Sequence, residues 1–375
     1  MNNFNDRTKK MMFIMLGVIG IIVLIIIIAL VVGKIMNSSL SYADIENKMS
    51  AAAKSYYSNR NNELPLNDSE EIEINLQTLV DNKLLKDVSK YQKDKNATCT
   101  GKVIVTKSGE YYNYSPYLDC GDKYTTTYFA DELLKNVVNS GDGLYKFEQY
   151  DETKIKAANF IYRGEYPNNY VKFGNELWRV VKINSKHEAM LIESDYVFDT
   201  AVESPWDDRY NSDFKEYSGI NVFYDSRIKQ KLDSVYNGDT ILTDNDKAKL
   251  VFKNACVNIR KSTDIKNDGS IECSKITNVP VKLSLLTTYD YINASLDNNC
   301  RAIVDKSCGN YNYLNKYDRS WWLLNTNIQS GYAASNYAYL MELPTSLFVR
   351  TVVVISKNVV YVSGGGTQTD PYIIK

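Results

Sequence analysis

Residues 11 to 33, "MMFIMLGVIGIIVLIIIIALVVG", form an apolar run of 23 residues without a charge. About 20 apolar residues span a bilayer as a helix, whereas a cleaved signal peptide has an apolar core of only about 7–15. The "GKIMNSS" that follows offers no small-x-small cleavage site. The pattern predicts an uncleaved transmembrane signal-anchor over 11–33. Arg7, Lys9 and Lys10 precede it against one acid, Asp6. Positive charge stays inside, so residues 1–10 are expected in the cytoplasm and the chain from residue 34 onward outside.

Beyond the run the period changes. Tyr42, Ile45, Met49, Ala52 and Tyr56 recur at steps of three and four. That is the stripe of a helix over about 41–60, a stalk segment within 34–62. A coiled coil needs about 3–4 heptads, so the stripe is expected to pack on the domain that follows. "EIEIN" alternates like a strand. "LQTLVDN" reads as a short helix with Asn75 as N-cap and Asn82 as a left-handed exit.

Residues 99–120, "CTGKVIVTKSGEYYNYSPYLDC", read as a hairpin turning at Ser108-Gly109-Glu110. A turn near Gly109 pairs residues whose numbers sum to about 219, and Cys99 and Cys120 have that sum. Facing across the open end of the hairpin, they are placed to form a disulfide. This closes a small domain over 63–122, followed by a connector over 123–155 in which "YFADELLKNVVN" has a helical pattern.

A larger α+β domain is expected over 156–375. It opens with hairpins, one turning at Gly174-Asn175. "DSRIKQKLDSVYNG" and a segment capped by Thr243 read as helices. "VKLSLLTTYDYINAS" reads as a strand running into a helix capped by Thr287. "RSWWLLNT", "FVRTVVVIS" and "NVVYVSG" read as late strands.

The cysteines bear on compartment. Besides Cys99 and Cys120 there are Cys256, Cys273, Cys300 and Cys308, an even total of 6. Nearest-neighbour pairing, 256–273 and 300–308, is one of the possible connectivities of the last four. Oxidised cysteines suit an extracytoplasmic domain. No C-x-x-C occurs, and the single histidine, His187, sits in a turn-like segment, so neither metal nor cofactor is expected. With 44 basic and 45 acidic residues and no long basic run, nucleic acid is not an expected partner.

Catalytic motifs are scarce. HExxH and GxSxG are absent, and "SGGGTQTDPY" lacks the Lys-Ser/Thr of a phosphate loop. Asp207, Asp208, Asp318 and Glu342 are available to act in pairs on a glycan, but the sequence does not show two of them converging, and solvated surface charge is the expectation. Trp321 and Trp322 alternate faces on a strand, so one of them, if exposed, offers a flat apolar surface to a ligand. Burial of both is the competing expectation, because a sheet covered on both sides takes tryptophan on both faces. Arg350 and Asp318 flank them, and these four residues form the candidate ligand-binding set.

Two resemblances add to this reading. A long apolar helix, an amphipathic continuation with "AAAKSYY" and a small sheet closed by a disulfide resemble type IV pilins and pseudopilins over residues 11–122. The prepilin cleavage motif is missing: no acid lies between Asp6 and Asp44. Residues 160–375 resemble a family of bacterial surface domains of unknown function. The likeness rests on Trp178-Arg179-Val180, Ser226 to Leu232, Leu283 to Tyr289, Trp321-Trp322, Val349-Arg350 and "GGGTQTDPYII". The chain has Thr351 where that family usually has proline and Asn325 where serine often stands. This second resemblance implies a fold related to C-type lectins. Together they lead to the expectation of a single-pass membrane-anchored bacterial surface protein that binds a glycan or protein ligand in adhesion. A cell-wall glycan hydrolase and a pseudopilin-like assembly component are the alternatives.

Overall fold

A computed structural model describes residue 11 and residues 39–92, 98–194, 203–315 and 319–375. Among the described residues the fold is mixed α+β, with three sheets and short helices. Among the described residues no helix is long and apolar enough to cross a membrane. This corrects the expected fold class, which included a transmembrane helix. All of 11–33 except Met11 lies outside the described residues.

Helix α1 (Tyr42–Tyr57) starts at a capping box. The Ser41 hydroxyl accepts from the Asp44 amide, and the Asp44 carboxylate accepts from the Ser41 amide. Its stripe, with Ile45, Met49 and Ala53 fully buried, lies on an antiparallel sheet of β1 (Glu71–Asn75), β2 (Thr100–Ser108) and β3 (Tyr111–Asp119). The segment expected as a stalk thus shares one core with the small domain. Pairing runs from Thr100↔Asp119 to Ser108↔Tyr111, and Gly109 takes φ +59° in the two-residue turn. The Cys99–Cys120 disulfide continues that register with Cα atoms 4.2 Å apart. The short helix Leu76–Asp81 forms, but Asn75 makes no side-chain cap and Asn82 keeps a negative φ. The left-handed exit falls one residue later, at Lys83, φ +59°.

The larger core is built on an eight-stranded sheet. Its strand β4 (Gly143–Tyr150) comes from the stretch expected to be a connector. There β4 pairs with β5 (Lys156–Arg163), β5 with β7 (Glu176–Ile183), and β7 with both β6 (Tyr170–Phe173) and β8 (Ala189–Glu193). The stretch 281–287 forms isolated bridges rather than a strand, while Thr287 caps the helix Thr288–Asn293 as expected. "FVRTVVVIS" is split into Ser346–Phe348 in one sheet and Val352–Ile355 in another.

The two cores are pinned at a buried carboxylate. Glu46, 1% exposed, accepts from Tyr124 Oη at 2.8 Å and from the Thr126 hydroxyl, and pairs with Lys375 Nζ at 2.8 Å. Glu46→Ala leaves those donors unmet, with an expected loss of about 1–3 kcal/mol. An unchanged melting temperature would contradict that role.

A five-stranded sheet, ordered β12 (Ala338–Glu342), β11 (Ser330–Ala334), β10 (Trp321–Thr326), β13 (Ser346–Phe348), β9 (Glu203–Pro205), completes the large unit. The loop leaving β9 shapes a cavity beside this sheet.

Candidate functional site

Of the four residues singled out from sequence, the three described ones, Trp321, Trp322 and Arg350, are buried. Trp321 and Trp322 are both 0% exposed. Trp321 meets Tyr291 edge-on, with ring centroids 6.3 Å apart, beneath the Arg350 guanidinium. The Trp322 ring lies close over Gly331, and its Nε1 donates to the Ser204 carbonyl at 2.9 Å. Alternation did send the two rings to opposite faces, but both faces are covered. Arg350 is also buried, donating to the Glu193 carbonyl at 2.7 and 3.1 Å. All three side chains are thus packed inside the large unit and not on its surface. Asp318 lies outside the described residues.

Two concavities in the large unit invite comparison. One, about 90 Å³, lies on the eight-stranded sheet. That is room for a few waters at about 30 Å³ each. Two of its lysines, Lys182 and Lys253, are held by acids. Lys182 Nζ reaches both carboxylate oxygens of Asp290, at 2.8 and 2.9 Å, and Tyr289 Oη at 3.1 Å. Burial works against that ammonium, but Asp290 and Tyr289 outweigh it and hold its pKa above the ordinary range. Lys253 pairs with Glu152 and Glu188. A cation held charged and saturated in this way is a poor nucleophile and a poor ligand contact.

The other concavity, about 660 Å³, is of the size that small-ligand sites have. Its walls are the loop 211–222, the β10–β11 turn at Ile328 and Gln329, and the end of β12 with Leu343 and Pro344. The loop "DDRYNSDFKEYSGIN" has no apolar period, so nothing local dictates its course. Asp207 dictates it instead. Fully buried, this carboxylate accepts from the Ile220 amide at 2.6 Å, the Arg227 amide at 3.3 Å and Arg209 Nε at 2.9 and 3.0 Å. It ties the start of the loop to its return and to the helix Arg227–Asn237. Gly219, φ +83°, closes the tie: a Cβ there would lie 2.5 Å from the Asp207 carbonyl oxygen. The Asp207 amide donates to the Leu343 carbonyl at 3.2 Å, and the Asn221 side chain to the Asn327 carbonyl at 2.6 Å. These bonds fix the loop to the other two walls.

Large apolar side chains face solvent here. Phe214 is 44% exposed, Ile328 64% and Tyr217 74%. Tyr217 is propped by Tyr210, with ring centroids 5.4 Å apart at 70°. Asp213, Glu216 and Glu342 also line the cleft. Of the acids noted in sequence, Glu342 is at this site and Asp207 builds it, while Asp208 pairs with Arg227 outside it. Phe214 and Tyr217 escaped the sequence reading because a ring in an aperiodic loop gives no sign of facing outward.

His187 sits in a turn with its Nδ1 2.7 Å from Asp131. Among the described residues no group of three His, Cys, Asp or Glu is placed to hold a metal ion. The remaining cysteines pair as 256–273 and 300–308. No protein-family model, no curated protein and no solved structure matches the chain, so the likenesses to pilins and to the surface-domain family rest on the sequence motifs alone.

Proposed function

We propose that this protein works outside the cytoplasm as a binding module at the cell envelope, taking its ligand in the cleft between the 211–222 loop and the five-stranded sheet. The observation that carries the reading is the exposure of Phe214, Tyr217 and Ile328 in a walled cavity of ligand size. Three such side chains are costly to leave in water together, and rings in a preformed cleft are common ligand contacts. Three disulfides support an oxidising compartment.

Two observations favour binding over the other functional classes. The cleft carboxylates Asp213, Glu216 and Glu342 are exposed, whereas a glycosidase needs one acid kept protonated by a drier setting. The apolar stripe of α1, which an assembly component would present to a neighbour, is spent on its own sheet.

The test is binding of the oxidised protein to arrays of cell-wall glycans, host glycans and surface proteins, beside a Phe214→Ala, Tyr217→Ala variant. Both side chains are exposed enough for the variant to fold. Losing two rings should weaken binding at least about tenfold at the low end of aromatic hot-spot values. Saturable binding that survives in the variant would place the ligand elsewhere and overturn the reading.

A further inference from the structure

The charge of the cleft points to the chemistry of its occupant. Asp213, Glu216 and Glu342 line it, and among the described residues no basic side chain does; Lys215 belongs to the same loop but is not part of the lining. Among the described residues none of the three carboxylates is engaged in an ion pair. This contrasts with the smaller concavity, where Lys182 and Lys253 are each matched by acids. The Ser218 hydroxyl also lines the cleft, buried and without a hydrogen-bond partner. A buried hydroxyl left unmet is a group that a ligand can satisfy.

We infer that the cleft binds a lysine- or arginine-bearing peptide segment of a protein partner. The inference rests on the cleft being the binding site. A cation between Tyr217 or Phe214 and the three carboxylates gains both ring and charge attraction. The stem of a lysine or arginine matches the apolar surface of Ile328. The rings of Tyr210 and Tyr217 meet edge to face and offer no broad platform for stacking a sugar. Glu342 ends β12, an edge strand of its sheet, and a strand edge offers main-chain partners to an extended peptide.

The experiment uses the full oxidised protein and three labelled probes followed by fluorescence anisotropy: an alternating Lys-Gly peptide, its Glu-Gly counterpart and a glucosamine oligomer. An Asp213→Asn, Glu216→Gln, Glu342→Gln variant and the Phe214→Ala, Tyr217→Ala variant run beside the wild type. The expected result is saturable binding of the basic peptide alone, weakened about tenfold by neutralising three exposed charges. Weakening by the ring variant as well places the peptide in the cleft. Equal binding by the neutralised variant overturns the inference, as does preference for the glucosamine oligomer, which would assign the acids to an amino sugar. If the ring variant loses binding to a neutral glycan on the arrays while no basic peptide binds, the cleft stands as a binding site and only the inference about its occupant fails.

Discussion

Trp322→Ala is expected to lower stability by about 3–5 kcal/mol, the range for truncating a large buried aromatic. The ring is fully buried, seated over Gly331 so closely that a Cβ on that glycine would lie 2.5 Å from it. Its Nε1 donates to the Ser204 carbonyl, linking β10 to the strand from which the cleft loop departs. Truncation therefore leaves a cavity and an unmet acceptor together. Because marginal stability is only about 5–15 kcal/mol, much of the large unit's stability goes with one side chain. The loss should show as a large drop in melting temperature. Ligand binding measured well below the lowered transition should be affected far less than by Phe214→Ala with Tyr217→Ala. A variant that melts like the wild type but fails to bind would restore Trp322 as a ligand contact.

Acid pH is expected to stabilise the fold through Glu193. This carboxyl is buried where β8 (Ala189–Glu193) meets the segment at Arg350 and Thr351. Burial pushes its pKa from the ordinary 4.5 up to about 7. The Thr351 amide, which donates to Oε2 at 2.7 Å, the Thr351 hydroxyl and Arg350 pull it down without offsetting burial, and Glu176 adds to the rise. The folded protein thus holds this proton more tightly than the unfolded chain does. The resulting stabilisation is fully present below about pH 4.5 and is lost as pH rises through about 7. At about 1.4 kcal/mol per pH unit the swing reaches about 3 kcal/mol. Glu193→Gln keeps an acceptor for the Thr351 amide and removes the titration. The variant should match the wild type near pH 4.5 and exceed it by up to about 3 kcal/mol at pH 8. Urea unfolding of both proteins across that range checks this; a difference that stays flat with pH would show that Glu193 is not protonated in the fold.

Local signals were read well where they were self-contained. The hairpin 99–120 follows from alternation and one glycine turn, and its register places the cysteines opposite each other as expected. Thr287 accepts from the Asp290 amide, and the Asp246 carboxylate accepts from the Thr243 amide, bonds between residues three apart that need no distant partner. Readings failed by one position within a local turn, and where distant parts of the chain decide. Asn75 and Asn82 do not take the cap and exit roles their residue type favours, since Lys83 supplies the left-handed turn. The stretch 281–287 has strand composition, yet only isolated bridges anchor it, Lys253↔Val281 and Ser284↔Val352.

The same division separates Trp321 and Trp322 from Phe214 and Tyr217. Sequence by itself determined that the two tryptophans lie on opposite faces of a strand, because backbone geometry sets that alternation. Only the tertiary structure decided that both faces are covered, since cover comes from segments far away in the chain: Ser204 on one tryptophan, Tyr291 and Arg350 on the other. It likewise decided that an aperiodic loop holds its rings out to solvent, through one buried carboxylate at Asp207. Local periodicity records which way a side chain points; what lies in that direction is set by contacts between residues that the sequence does not place side by side.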